Sequence, residues 1–340
     1  MTAPLELMKK QPWQVALSNL VTDPEELLAI LSLSRDLLPA ARAAAQLFPL
    51  KVPRGFVERM QKGNVNDPLL KQVLPMGIET ELSPDYSNDP LHESGVNPLP
   101  GLLHKYQSRV LITLTSACAI HCRYCFRRHF PYGENNPGRK GIEKIADYIR
   151  ADESINEVIL SGGDPLSVSD TMLQFVSEVL QPIPHIRRLR IHTRLPIVLP
   201  ERVTDSLLAW LQTIKLKVVM VIHANHPAEI NDEIRDVLAK LKHAGVTLLN
   251  QTVLLRGIND DAAILSELSE TLFATGVLPY YLHVLDKVQG AAHFDLPRET
   301  SLSLHAALQK RLPGYLVPRL TVEEPGAFSK TLLSTSLSTC

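Results

Sequence analysis

Val110-Leu111-Ile112-Thr113-Leu114-Thr115 runs straight into Ser116-Ala117-Cys118-Ala119-Ile120-His121-Cys122-Arg123-Tyr124-Cys125. The first six residues, rich in branched side chains, predict a β-strand over 110–115. The loop that leaves it carries Cys118-x3-Cys122-x2-Cys125. The same pattern recurs downstream: short β-rich runs at 157–161, 189–193, 217–222, 246–252 and 280–285 each precede a polar or glycine-containing turn. Amphipathic stretches near 141–151, 169–180, 201–214, 228–243, 262–275 and 299–311 separate and follow them. Strands divided by helix-length segments imply parallel βαβ units with right-handed crossovers. Six such units fit a (β/α)6 partial barrel or an open doubly wound sheet.

The chemistry-bearing residues gather after the strands. Cys118 follows the first run, Gly162-Gly163-Asp164-Pro165 the second, Arg194 the third, His223 and His226 the fourth. Gln251 ends the fifth and Asp286 follows the sixth. In a parallel α/β architecture the carboxyl ends of all strands share one face, where ligands bind.

The first hundred residues read differently. Asp23-Pro24-Glu25-Glu26 is a helix start, with Asp23 as cap and Pro24 at the first helical position. Proline and glycine crowd 75–101, which predicts an extended segment held by contacts rather than a helix or central strand. The reading therefore divides the chain into a helical and extended region over 1–101, a partial-barrel domain over 102–332, and a flexible Ser/Thr-rich tail over 333–340.

Composition narrows the function. The 340 residues are 45% apolar and 21% charged, with 35 Lys and Arg against 36 Asp and Glu, for a net charge of −1. That is an ordinary globular balance, without the cationic surplus that non-specific nucleic-acid binding needs. No apolar run reaches membrane-spanning length and no signal-peptide core forms, so the sequence predicts a cytoplasmic protein with no membrane partner. Three of its four cysteines fall within eight residues. That spacing is too tight for an ordinary disulfide framework and points to a metal or redox site. Thiolates suit both iron–sulfur clusters and zinc, and His121 or His129 could complete a zinc site.

Cys118-x3-Cys122-x2-Cys125 after the first strand resembles the radical S-adenosylmethionine (SAM) enzymes, and Ser161-Gly162-Gly163-Asp164-Pro165 resembles their glycine-rich SAM-binding element. The resemblance implies a [4Fe–4S] cluster on three cysteines, with one iron left open to SAM. Thr193-Arg194-Leu195-Pro196, Asn225-His226-Pro227, Asn250-Gln251-Thr252-Val253-Leu254-Leu255-Arg256-Gly257, Pro279-Tyr280-Tyr281 and the stretch from Asp286 to His293-Phe294 narrow it to the lysine 2,3-aminomutases. The likeness runs from about residue 100 to 332. It is greatest to the short bacterial form that makes (R)-β-lysine for modification of elongation factor P.

What that family does is thereby expected here: an isomerase acting on L-lysine through a SAM-derived radical and pyridoxal 5′-phosphate (PLP). By position, Lys330 in Pro325-Gly326-Ala327-Phe328-Ser329-Lys330-Thr331 matches the PLP lysine, although Ala327, Phe328 and Ser329 stand where the family has glycines. Lys105, Tyr106 and Arg109 match PLP-phosphate contacts, and Arg127 matches the clamp on the substrate α-carboxylate. Asp286 and Glu323 match the two acids that hold the ε-ammonium, Glu323 standing where longer enzymes carry Asp. Ser161, Gly162, Gly163, Asp164, His223 and Gln251 fall on the SAM side, while Arg194 reads as structural. A flavodoxin or ferredoxin electron donor and a functional link to elongation factor P and its β-lysine ligase are implied as well. A related aminomutase acting on ornithine or another amino acid, and a non-catalytic zinc-stabilised binding protein, are the alternatives.

Overall fold

The computed structural model describes residues 10–334. The tail expected to be flexible lies, from 335 onward, outside the described residues, as does Cys340. One sheet of nine strands dominates: β1 Leu102–Tyr106, β2 Arg109–Thr115, β3 Glu157–Gly162, β4 Arg188–Thr193, β5 Lys217–His223, β6 Thr247–Val253, β7 Leu278–His283, β8 Arg319–Val322 and β9 Thr331–Leu332. Their spatial order is their sequence order. β2 to β8 are parallel, whereas β1 and β9 join antiparallel at the two edges.

An order that never reverses excludes the doubly wound alternative, which needs a switch point where the winding turns back. Six β/α units, β2 through β7, each lead into a helix: Gly138–Ala151, Asp170–Leu180, Asp205–Thr213, Asp232–His243, Ala262–Ala274 and Arg298–Arg311. Right-handed crossovers put all six on one face, so the sheet curls around the other as a (β/α)6 partial barrel. It remains open because β1 and β9 do not pair. The helix starts are encoded locally: Ser169, Thr204, Asn231 and Asp261 each accept a backbone N–H of the first turn.

Three strands escaped the sequence reading. β1 forms a tight hairpin with β2, and β8 and β9 are only four and two residues long. β8 matters most, because it makes a seventh parallel strand and places Glu323 at its carboxyl end.

The N-terminal helices Pro12–Ser18, Pro24–Ile30 and Leu38–Leu47 pack on the barrel's flank, and Asp23 caps the second as expected. Trp13, Leu27, Leu31, Phe56 and Leu70 belong to the same buried cluster as Ile112, Leu160, Ile191 and Met220 of the strands. The proline-rich 75–101 is extended with two 3-10 turns, as its breakers require. Each turn buries a carboxylate, Glu79 and Glu93. Among the described residues no helix is long and apolar enough to cross a membrane.

Candidate active site

A cavity of about 480 Å³ occupies the lumen of the partial barrel. It brings together Cys118, Cys122, Cys125, Lys105, Tyr106, Arg109, Arg127, Ser161, Gly162, Gly163, Asp164, His223, Gln251, Asp286, Glu323 and Lys330, which is every site residue expected from the sequence. Strand alternation explains how. Arg109 and Leu111 on β2, Ile159 and Ser161 on β3, Arg190 and His192 on β4, Gln251 and Val253 on β6, and Tyr281 and His283 on β7 are pairs two apart that face inward. Intervening residues such as Leu160, Ile191 and Leu282 are buried on the outer side.

The cavity is therefore not confined to the carboxyl ends of the strands. It runs down β2 from the cysteine loop to Arg109 at the opposite end of that strand. Arg190, midway along β4, was missed in the sequence for this reason; His192 and His283, at the carboxyl ends of β4 and β7, were missed as well, and Tyr281 entered only as part of a resemblance motif. The signal was present: Arg190-Ile191-His192 and Tyr281-Leu282-His283 alternate polar with apolar, a pattern that reads equally well as polar-to-solvent.

At the upper end the three half-buried cysteines are free thiols. Burial and the neighbouring sulfurs push Cys118 well above its usual range and Cys125 up to about 11. Among the described residues no three His, Cys, Asp or Glu side chains converge tightly enough to hold a single metal ion. His121, one candidate fourth zinc ligand, stacks on Phe48 with its Nδ1 2.8 Å from the carbonyl of Pro49. Three soft donors spread around the cavity wall, with no fourth among the described residues, fit a cluster of several irons better than one zinc ion.

The Gly-Gly-Asp-Pro turn lines the cavity and packs closely against the cysteine loop. A Cβ on Gly162 would lie 2.5 Å from the carbonyl oxygen of Thr115, and one on Gly163 2.5 Å from that of Ala117. The glycines therefore admit the backbone of the cysteine loop, with Gly163 N–H donating to Thr115 at 2.6 Å and Asp164 N–H to Ala117 at 2.8 Å. The Asp164 carboxylate is likewise committed, accepting from Thr193 Oγ1 at 2.7 Å and from the backbone N–H groups of Arg194, Leu195 and Leu166. Burial lifts it to about 6 despite those donors. It ties the β3 turn to the β4 turn.

Arg127 also has company. Its Nε and Nη2 donate to Glu93 at 2.7 and 2.8 Å, leaving Nη1 3.2 Å from Ser161 Oγ. Glu93 further pairs with Lys105 at 3.2 Å, so the 75–101 segment supplies the counter-charge of the basic turn. Glu79 does the same for Arg123 and Arg128. Neither acid was singled out in the sequence, since a carboxylate among prolines reads as a surface charge.

The acids at the mouth differ from one another. Glu323 pairs with Lys330 at 2.5 Å and Lys105 at 2.9 Å. Burial would raise its carboxyl, but the two ammonium groups outweigh that and hold it well below the carboxylate range. Asp286 forms no ion pair among the described residues, and burial pushes it up to about 7 even though Lys330 pulls the other way. At the lower end Arg109 has no carboxylate partner among the described residues and stacks 4.3 Å from the Tyr106 ring. His192 and His283 are held neutral by burial and nearby cations, and His223 is pushed down to about 3. His226 caps the turn Pro227–Glu229 instead of reaching the cavity.

The unpaired Arg109 below and Lys330 above provide an anion site and an amine, the donor set that a phosphorylated aldehyde cofactor such as PLP requires.

Residues 112–267 match the family model of the Radical SAM superfamily. The chain is 47% identical to an L-lysine 2,3-aminomutase of Escherichia coli, covering 98% of this chain and 97% of that protein. The figures for the Haemophilus influenzae enzyme of the same name are 47%, 96% and 96%. A Clostridium subterminale L-lysine 2,3-aminomutase is 35% identical over 94% of this chain but only 77% of its own length.

Proposed function

The chain belongs to the L-lysine 2,3-aminomutase family of radical SAM enzymes, and from that premise we propose that it moves the α-amino group of L-lysine to Cβ, giving (R)-β-lysine. The observation that carries the substrate assignment is Asp286, an inward carboxyl that forms no ion pair among the described residues although Lys330 and Lys105 lie near enough to act on it. A diamino acid supplies the missing ammonium. Glutamate would bring an anion to the same place.

Cys118, Cys122 and Cys125 would hold a [4Fe–4S] cluster, with SAM beside Ser161, Gly162, Gly163, Asp164, His223 and Gln251, and Lys330 would hold PLP through its amine. When bound, these groups supply a carbon-centred radical and an imine through which the amino nitrogen migrates.

The protein's part is binding and exclusion. Lys105, Tyr106 and Arg109 give the phosphate a cationic floor. Arg127, fixed by Glu93, presents Nη1 beside Ser161 as donor to the substrate carboxylate. Asp286 and Glu323 hold the far ammonium, so the chain is pinned at both ends with its middle carbons at a fixed place in the lumen. The neutral imidazoles of His192, His223 and His283 line the wall without adding charge that would compete for either end.

The reading extends to a cytoplasmic enzyme that draws one electron from a flavodoxin or ferredoxin and supplies β-lysine to the ligase that modifies elongation factor P. Likeness to the short bacterial form supports it. The test is anaerobic turnover of lysine, ornithine and glutamate by the reconstituted enzyme, with chiral analysis of the product. (R)-β-lysine is expected; exclusive turnover of another amino acid, or the S product, would overturn the assignment.

A further inference from the structure

The three cysteine sulfurs do not have equivalent surroundings. Cys122 Sγ accepts a hydrogen bond from Arg194 Nη1 at 2.7 Å, while no side chain donates to Cys118 or Cys125 among the described residues. Arg194 is buried, with 5% of its surface exposed. Its two terminal nitrogens are both held elsewhere as well, Nη1 also donating to Tyr124 Oη at 2.7 Å and Nη2 to Gln72 Oε1 at 2.6 Å and Glu229 Oε2 at 3.0 Å, while Nε has no partner among the described residues. Its backbone N–H is anchored on Asp164 at 2.7 Å. The opposing acid, Glu229, is fixed in turn by Gln72 Nε2 and by the backbone N–H groups of Asn225 and His226.

A guanidinium so constrained cannot swing away from the sulfur without breaking several buried bonds. We propose that Arg194 is a positioning residue for the cluster: by donating to the Cys122 thiolate it draws charge off one iron ligand and raises the potential at which the cluster takes its electron. Hydrogen bonds to ligating sulfur and nearby net charge are two of the levers a protein has on such a potential. Glu229 is the counterweight, cancelling part of the cation's field while leaving its geometry intact. The step is a single-electron reduction of the cluster by a low-potential one-electron donor, with no bond made or broken at Arg194. The inference rests on the cluster assignment made above.

The experiment is an EPR-monitored redox titration of anaerobically reconstituted full-length enzyme, with dithionite as reductant. Arg194→Gln is expected to keep its iron and sulfide and to shift the midpoint to more negative values. Glu229→Gln, which leaves the guanidinium less compensated, is expected to shift it the opposite way, with Arg194→Lys between wild type and Arg194→Gln. A loss of packing alone would not produce shifts of opposite sign. Unmoved midpoints in cluster-loaded Arg194→Gln and Glu229→Gln would overturn the proposal. Should Arg194→Gln fail to hold a cluster, Glu229→Gln and Arg194→Lys decide on the same terms. Wild-type protein that takes up no reducible cluster at all would instead overturn the cluster assignment, and the proposal with it.

Discussion

Glu323 Oε2 lies 2.5 Å from Lys330 Nζ, bringing together the carboxyl end of β8 and the residue that leads into the antiparallel β9. The two stand seven positions apart in sequence, and the Pro325-Gly326 turn folds them back on each other. Before any imine forms, the amine is thus part of an ion pair with the acid assigned to the substrate. Were Lys330 to hold PLP through this amine, as proposed, the pair would have to loosen and Glu323 would be left with Lys105, with room beside it for the substrate ammonium.

Lys330→Ala should abolish the internal imine absorbance of PLP-loaded enzyme while leaving the iron content at the wild-type level. Aminomutase activity should fall by ~10³-fold or more, since the amine acts as nucleophile. Unchanged absorbance would move the cofactor lysine elsewhere.

Asp286→Asn removes one end of the proposed pin. Losing a charge-assisted hydrogen bond of about 1.5–3 kcal/mol should lower kcat/KM for lysine roughly 10- to 100-fold. The parallel experiment with norleucine, which lacks the ε-amine, should show no difference in binding between wild type and variant.

The raised carboxyl of Asp286 also sets two pH dependences. Its folded value near 7 exceeds the unfolded carboxylate value, so the folded protein binds the extra proton, and this group's contribution to stability is lost as pH rises through about 7. Ligand-free Asp286→Asn should therefore gain thermal stability over wild type progressively between pH 4 and about 7 and keep the gain above. Lysine, in contrast, needs the ionised acid. Its kcat/KM should rise through the same range in wild type and lose that limb in the variant.

Gly163→Ala tests the packing of the cysteine loop. The added methyl would meet the Ala117 carbonyl oxygen at 2.5 Å, and backbone cannot yield as a flexible side chain does. The loop must shift, so iron per chain after reconstitution should drop sharply while the circular dichroism of the barrel persists.

Glu79→Ala should be among the most damaging substitutions outside the cavity. It leaves Arg123, which is fully buried, without its bidentate partner, and Arg128 without its own. Uncompensated buried charge costs about 3–5 kcal/mol. Urea unfolding should show that loss in midpoint with little change in slope.

The β/α alternation was legible because short β-rich runs alternate with helix-length segments, four of which open on a capping side chain, and these signals are local. β8 and β9 were illegible because four and two residues carry no period, and their strand character comes from pairing partners supplied by the rest of the sheet. Site residues were legible where a rare residue type has a fixed spacing, as in the cysteine triplet, or where a resemblance aligned them, as with Lys330. Arg190, His192 and His283 were not, because a polar residue on every second strand position does not reveal whether lumen or solvent lies on that side. Glu79 and Glu93 depended on contacts across many residues, which no local pattern announces.

The origin of those two carboxylates bears on how the protein can be divided. A fragment trimmed to the span that matches the superfamily, 112–267, would keep all three thiols and Arg194 yet discard Glu79, Glu93 and Gln72. Arg123, Arg127 and Arg128 would lose the carboxylates that neutralise them, whereas Arg194 would keep Glu229. The minimal catalytic unit is consequently larger than the portion that looks catalytic, and its N-terminal flank works as the electrostatic lining of a chamber built by the remainder.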